Sequence, residues 1–209
     1  MPFTGTIEQK ARSSTWPFAF PALKCLSLPT DTGRMPTSAP TLPTALKAQL
    51  RPLVAEDAEA WSAYLSSPGF IEHTSWLDVS VSGLRRQIAR YGNDQGELRW
   101  AIVNARGGLL GTIGLNGIDR AHRRAELAYD IAPAYQGRGL ASAAARATLA
   151  WAHTTLTCSR VQATVLDSNH ASIAVLQKLG MQLEGKLRGY RYVRNVPRDF
   201  WMYASLIER

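Results

Sequence analysis

Six consecutive residues combine two glycines with the start of an alanine-rich run: Gln136, Gly137, Arg138, Gly139, Leu140 and Ala141. Glycines ahead of a helix leave backbone N–H groups open to a ligand, because no Cβ holds the ligand away from them. The partial positive charge of a helix N-terminus adds to the attraction for an anion. The segment therefore predicts a phosphate site, with Gln136 and Arg138 as supplementary donors. A plain strand-to-helix turn is the alternative.

A dinucleotide-binding pattern competes for the same segment. GRGLAS (137–142) nearly fits the G-x-G-x-x-G fingerprint, with Ser142 in place of the third glycine and Asp167 near the position of a ribose-binding acid. A dinucleotide fold opens with this unit and continues into several parallel strands. In this chain an antiparallel run precedes the unit and only two strands follow it. The order of elements therefore disfavours a dinucleotide.

The periodicity of apolar residues predicts the elements that position this loop. Two helices come first, one through Trp61 and Leu65 and the next through Leu84 and Ile88. The period then changes to two, which predicts a hairpin of LRWAIVN and LLGTIGL and a strand, RRAELAYDIA, that runs into the loop. A helix, a strand, a helix and two strands follow: LASAAARATLAWAHTTL, RVQATVL, DSNHASIAVLQKLG, MQLEGKLRGYRY and DFWMYASLI, the last two joined by VRNVPR.

This order predicts an α+β fold with a mixed, mostly antiparallel sheet of about seven strands and about four helices. A strand–helix–strand unit of this length implies a right-handed parallel crossover in the middle of the sheet. The first 45 residues hold seven of the eleven prolines and no sustained periodicity, so we expect disorder there and a folded domain over 46–209. The internal Met35 leaves open a later translation start.

Composition limits the classes of function. A chain of 209 residues, 45% hydrophobic and 19% charged, suits one soluble domain, and no apolar stretch approaches the ~20 residues of a membrane span. The formal charge of +8 suggests nucleic acid, but the basic residues form no run of five or six. A nucleic-acid-binding module is therefore an unfavoured alternative. Cys25 and Cys158 match no metal spacing, so we expect no metal and a reducing cytoplasm.

Two longer segments carry a family resemblance. AELAYDIAPAYQGRGLASAA (125–144) contains the Q/R-x-x-G-x-G/A signature of the GNAT superfamily of N-acetyltransferases. Together with DSNHASIAVLQKLGMQLEGKLR (167–188), it resembles the RimJ/RimL-type ribosomal-protein N-terminal (alanine) acetyltransferases. That branch shows AE-x-GY, the loop, and then N-x-x-S-x-x-x-x-x-K-x-G-F-x-x-E-G. Ala128 replaces the usual glycine and Met181 the usual phenylalanine, and neither change removes a polar group.

The resemblance implies a GNAT fold in which the two central parallel strands splay apart to admit acetyl-CoA. The residues at 136–141 would bind its pyrophosphate, and the backbone of Tyr129, Asp130 and Ile131 would bind the pantetheine arm. Asn169 would hydrogen-bond that arm, although as a helix cap it needs no ligand. Trp76 would shape the acceptor pocket, with ordinary burial as the alternative.

Acyl transfer to an amine needs a base, an oxyanion donor and an acid for the leaving thiolate. The resemblance and the strand position imply Glu126 as the base, through a water, unless it is an ordinary surface glutamate. Ser172 matches the serine of the branch and is the candidate acid, with Tyr203 a weaker one. Arg188, Arg191, Arg194 and Arg198 around the last hairpin could attract an acidic substrate or ribosomal RNA, or be simply solvated.

The sequence thus predicts an N-acetyltransferase that moves the acetyl group of acetyl-CoA to a primary amine by direct attack. A protein N-terminus, such as that of a ribosomal protein, is the favoured acceptor, and a small amine (an amino acid, polyamine or antibiotic) is the alternative. A non-catalytic acyl-CoA sensor would use the same loop without turnover. We expect a cytoplasmic monomer or homodimer.

Overall fold

The computed structural model describes residues 38–91 and 96–207, and its helices and strands lie within these two ranges. In chain order they are β1 (Ala48–Pro52), α1 (Asp57–Leu65), α2 (Val81–Tyr91), β2 (Leu98–Asn104), β3 (Leu109–Asp119), β4 (Arg124–Ile131), α3 (Leu140–Thr154), β5 (Arg160–Leu166), α4 (His170–Lys178), β6 (Gln182–Val193) and β7 (Val196–Leu206). Three short 3₁₀ turns lie at Thr44–Leu46, Pro68–His73 and Pro133–Tyr135.

The seven strands form one sheet in the order β1-β2-β3-β4-β5-β7-β6. Every neighbouring pair is antiparallel except β4 and β5, which the α3 crossover makes parallel. Those two strands pair only over Arg124–Glu126 and Arg160–Gln162, whereas β4 continues to Ile131 and β5 to Leu166. The predicted fold class is confirmed, and the central parallel pair opens into a splay.

Helices cover both faces of the sheet. Trp100 on β2 packs edge-on against Trp151 of α3, with ring centroids 5.2 Å apart. The preceding residue, Arg99, lies instead 5.8 Å from the ring centre of Trp61 on α1. Because successive strand residues point to opposite faces, α3 and α1 cover opposite sides of the sheet. The larger apolar core lies on the α3 face, and a smaller one packs α1 against α2.

The start of α1 is anchored by a buried carboxylate. Asp57 accepts two hydrogen bonds of 2.7 Å from the guanidinium of Arg51 on β1 and one of 2.9 Å from the amide of Val54. Only 7% of the Asp57 side chain is exposed. The forked pair therefore ties the first helix to an edge strand of the sheet.

The structure differs from the sequence expectation at two places. Disorder is expected for residues 38–45, yet Leu42 is buried in the larger core, because its side chain finds apolar partners that no local pattern reveals. The other 37 residues of the Pro-rich extension lie outside the described part of the chain. The loop expected at VRNVPR is only the two-residue turn Arg194-Asn195, because β6 and β7 extend to its edges. Both residues of the turn have positive φ.

Among the described residues, no helix combines the length and apolar character needed to span a membrane.

Candidate active site

The splay exposes peptide groups on β4. The amide of Ala132 donates to the carbonyl of Leu110 on β3. Peptide groups alternate in direction along a strand, so every second residue before Ala132 on β4, including Asp130, also has its peptide group facing β3. Those of Tyr129 and Ile131 point the other way, into the gap beside β5. Asp130 lies opposite Thr112 in the β3–β4 ladder. The structure therefore differs from the sequence expectation at Asp130, because its peptide group faces β3 instead of the splay.

The glycine loop follows directly. Gly137 and Gly139 have φ of 73° and 77°, and a Cβ at either position would meet no atom within 4 Å. No side chain caps the N-terminus of α3, which begins at Leu140. The loop thus presents uncapped helix amides behind two glycines, which is the arrangement that a diphosphate requires. The Gln136 amide nitrogen donates to the carbonyl of Ile131 over 3.0 Å, and Arg138 stacks on the ring of Tyr135.

A cavity of about 750 Å³ runs through the splay. Its lining includes both Ala128 and Tyr129, which as consecutive strand residues point to opposite faces of the sheet. The cavity brings together the predicted residues on different elements: Trp76, Glu126, Tyr129, Asn169 and Ser172. The glycine loop is not part of this lining. The lining therefore reaches α2 on one face of the sheet and α4 on the other.

Glu126 is not an ordinary surface glutamate. It occupies the last parallel pair before the splay, and 17% of its side chain is exposed. Its Oε1 accepts hydrogen bonds from the hydroxyl of Thr164 at 2.6 Å and from Arg191 at 3.0 Å. Its Oε2 has no hydrogen-bond partner within 38–91 and 96–207, so that oxygen remains open to a molecule in the cavity.

The first turn of α4 forms the opposite side of the cavity. The side-chain oxygen of Asn169 accepts from the amide of Ser172 at 3.0 Å, so Asn169 is an N-cap, and its side-chain amide hydrogens remain for another contact. The Ser172 hydroxyl makes no hydrogen bond to any residue that the structure describes. The hydroxyl of Tyr129 donates to the Ser172 carbonyl at 3.3 Å, and burial raises the pKa of Tyr129 to about 12.

Beside Trp76 lies a buried polar cluster that the sequence did not reveal. Arg99 donates to Asp130 over 2.6 Å and to Thr112 over 2.9 Å, and Thr112 donates to the same carboxylate over 2.7 Å. The hydroxyl of Tyr64 donates to the other oxygen of Asp130. Burial and the adjacent carboxylate hold the pKa of Tyr64 well above its usual value. Burial alone would lower the pKa of Arg99, but the attraction of Asp130, together with Tyr91 and Tyr64, outweighs it and the net shift of the pKa is upward.

The Arg99 guanidinium packs against both indole rings, 5.8 Å from the ring centre of Trp61 and 5.7 Å from that of Trp76. The two rings themselves meet edge-on at 5.2 Å. Trp76 is thus half-buried and also lines the cavity, so packing and a contact to the acceptor both fit its position. Arg99 escaped the sequence analysis because its partner lies 31 residues away on a strand that is not its neighbour.

Other candidates have structural partners. Tyr203 is buried in the larger core. Three of the four hairpin arginines contact the chain itself: Arg191 binds Glu126, Arg194 the carbonyl of Ile71, and Arg198 the hydroxyl of Ser168. The ring of His153 bonds the Cys158 carbonyl and the Ser205 hydroxyl. No group of metal-ligating side chains occurs among the described residues.

The sequence profile of the acetyltransferase (GNAT) domain matches residues 47–182. The chain is 33% identical over 166 residues to the uncharacterized N-acetyltransferase YoaA of Bacillus subtilis (strain 168), covering 77% of this chain and 93% of that protein. It is 30% identical over 149 residues to the putative ribosomal N-acetyltransferase YdaF of the same organism, covering 71% and 77%. It is also 30% identical over 158 residues to the spermidine N(1)-acetyltransferase of Escherichia coli (strain K12), covering 70% and 78%.

Solved structures share the fold. The ribosomal-protein-S5-alanine acetyltransferase of Vibrio fischeri is similar at a TM-score of 0.68 and 19% identity, covering 77% of this chain and 93% of that one. The spermidine N-acetyltransferase of Vibrio cholerae, in complex with CoA and spermine, is similar at a TM-score of 0.68 and 22% identity, covering 77% and 95%. With the splayed parallel pair and the glycine loop already described, these matches establish that the chain is an acyltransferase of the GNAT family of N-acetyltransferases.

Proposed function

We propose that this protein transfers the acetyl group of acetyl-CoA to the amine of a protein N-terminus by direct attack. The observation that carries the proposal is the cavity through the splay, which is lined from both faces of the sheet and joins the candidate base to the candidate acid. Such a cavity lets the acyl donor enter from the α3 and α4 face and the amine from the α1 and α2 face. The two reactants would meet beside Glu126.

The chain offers groups for each part of the donor. The amides at the start of α3 would bind the pyrophosphate, since Gly137 and Gly139 leave open the space that a Cβ would fill. The carbonyl of Tyr129 and the N–H of Ile131 would bind the pantetheine arm as a neighbouring strand would, since Gln136 already donates to the Ile131 carbonyl. The side-chain amide of Asn169 would donate to the same arm. When bound, acetyl-CoA supplies an activated acetyl carbonyl and a thiolate leaving group.

Glu126 is the proposed base. Its free Oε2 would take the proton of the attacking amine through a water, while Thr164 and Arg191 hold the carboxylate in position. The amine nitrogen forms a bond to the acetyl carbon, and the carbon–sulfur bond breaks. The N–H of Tyr129, which points into the splay, would donate to the developing oxyanion, and the unbonded hydroxyl of Ser172 would return a proton to the departing sulfur.

The charge of the cavity supports a peptide acceptor over a polyamine. Four arginines and three carboxylates line it: Arg86, Arg90, Arg99, Arg191, Asp78, Glu97 and Glu126. A polyamine carries several positive charges and would be favoured by an excess of carboxylates, whereas a peptide N-terminus carries one. A relative described as a putative ribosomal N-acetyltransferase also supports this choice. The relative named as a spermidine acetyltransferase keeps a small amine as the alternative.

The test is an acceptor screen with acetyl-CoA in which thiol release is measured. Free peptides with ribosomal-protein N-termini should release thiol, and the same peptides with a formylated N-terminus should not, which excludes acetylation of side chains. A spermidine series run in parallel would overturn the acceptor assignment if it were the better substrate. Stabilisation by CoA of about 2 to 3 kcal/mol at a hundredfold excess over Kd, without thiol release for any acceptor, would indicate a sensor instead.

A further inference from the structure

We propose that Arg99 binds the carbonyl oxygen next to the reacting amine and so selects acceptors of the α-amino acyl type. This inference rests on the proposed function, because it assigns a specificity residue to the same cavity. Arg99 lines the cavity, whereas Asp130, Thr112 and Tyr64 do not. The positive end of the pair therefore faces the acceptor, and the carboxylate lies behind it.

Arg99 has donors left for a ligand. A guanidinium carries five N–H groups, of which Nε binds Thr112 and Nη2 binds Asp130. Its Nη1 makes no hydrogen bond to any residue in the described ranges. Only 3% of the side chain is exposed, so the two N–H groups of Nη1 can be reached only through the cavity. A hydrogen bond made there is shielded from water and is stronger than one at the surface.

The floor beside Arg99 carries small residues, whereas Asn116, opposite Glu126, also lines the cavity. Arg99 lies opposite Gly114 on β3, and Gly114 lies opposite Ala128 on β4, two residues beyond Glu126. These residues share one face of the sheet, because cross-strand partners and residues two apart point the same way. A Cβ at Gly114 would clash with the backbone carbonyl oxygen of Leu98 and lie 2.8 Å from Cδ of Arg99, so the strand pairing and the course of the arginine across β3 both require glycine.

The spacing suits an amino acyl group. The Arg99 side chain crosses β3 to bind Asp130. Asp130 lies four residues beyond Glu126 on β4, or about 13 Å along the strand. The water proposed beside Glu126, followed by the amine, would span most of that distance. An amine beside Glu126 would then have its α-carbonyl oxygen directed at Nη1. In a peptide that oxygen sits on the carbon next to the α-carbon, whereas a polyamine has no oxygen and would place methylene groups or a second ammonium against the guanidinium.

The experiment compares two acceptors of similar shape, alaninamide and sec-butylamine, of which only the first has a carbonyl oxygen. The variant is Arg99→Met combined with Asp130→Asn, because removal of Arg99 alone would leave an unpaired buried carboxylate. Relative to wild type, kcat/KM for alaninamide should fall about tenfold to a hundredfold, as expected for loss of a hydrogen bond to a charged group. The value for sec-butylamine should change less than about threefold on the same scale. Equal losses for both acceptors would overturn the proposal and leave Arg99 a structural residue.

A second variant and a second readout guard against misfolding and against an inactive wild type. Arg99→Lys keeps the charge but loses the forked geometry, so it should show the same selective loss for alaninamide at an unchanged CoA affinity. Saturation-transfer NMR of the two amines needs no turnover. Binding of alaninamide that is the same in wild type and both variants would refute the role of Arg99. A wild type that binds CoA but releases no thiol with any amine would refute the proposed function separately.

Discussion

Replacing Gly139 with alanine separates the contribution of this residue to folding from its contribution to binding. Gly139 is the N-cap of α3, with φ of 77°. Because an L-residue in the left-handed region costs about 1–2 kcal/mol, the free energy of unfolding should fall by that amount. The added Cβ meets no atom of the protein within 4 Å, so no steric cost is added. The melting temperature should therefore drop by about 2–8 °C.

The loss of CoA affinity should be larger than this strain alone could produce. The methyl group would project into the open space in front of the α3 amides, where the pyrophosphate is proposed to bind. Loss of one hydrogen bond between an amide and a charged phosphate corresponds to about 1.5–3 kcal/mol, or about tenfold to more than a hundredfold in Kd. Isothermal titration calorimetry with CoA measures this change directly.

Gly180 offers a matched control. It has φ of 78°, and a Cβ there also meets nothing within 4 Å, but it follows α4 near the start of β6. Gly180→Ala should therefore cost the same 1–2 kcal/mol of stability, measured by urea unfolding, and leave the CoA affinity unchanged. Equal CoA affinities for wild type and Gly139→Ala, or equal losses in both variants, would refute the assignment of the loop.

Three further predictions follow from the described contacts. Glu126→Gln should lower kcat by about a hundredfold to ten-thousandfold without changing the CoA affinity, and the loss should shrink at high pH, where the amine loses its proton unaided; a loss equal at neutral and high pH would remove Glu126 as base. Asp57→Ala should lower the urea-measured free energy of unfolding by about 1–3 kcal/mol, because it removes the buried partner of Arg51, and should leave KM unchanged; an altered KM would contradict this. Burial raises the pKa of Tyr129 to about 12, so this residue should remain protonated where an ordinary tyrosine, with a pKa of about 10, already ionises. The phenolate absorbance of the Tyr129→Phe variant should therefore match that of wild type up to about pH 10.5. A smaller increase in absorbance in the variant would show that Tyr129 titrates normally.

Local features of the chain could be predicted from the sequence. The glycine loop is readable because its conformation depends on residues that adjoin one another, and the strand–helix–strand unit around it implies its parallel crossover. The same holds for the cap at Asn169, whose partner Ser172 is three residues away. The extent of the splay was available only through the family resemblance, because no residue pattern states where two strands stop pairing.

Long-range features were out of reach. The contact between Arg99 and Asp130 depends on the register of three strands and on the absence of a side chain at Gly114. The two-residue turn Arg194-Asn195 was missed because both residues adopt positive φ, which asparagine tolerates but arginine rarely does. Burial of Leu42 depends on a core assembled from distant parts of the chain. In each case tertiary contacts outweigh the local preference.

The position of β7 has a consequence for biosynthesis. This strand lies between β5 and β6, although both are made before it. While the ribosome is still adding residues before Val196, β5 and β6 have no partner on that side, and Arg191 has no scaffold that would hold it against Glu126. The nascent polypeptide therefore exposes two unpaired strand edges until synthesis passes Leu206, and such edges favour aggregation.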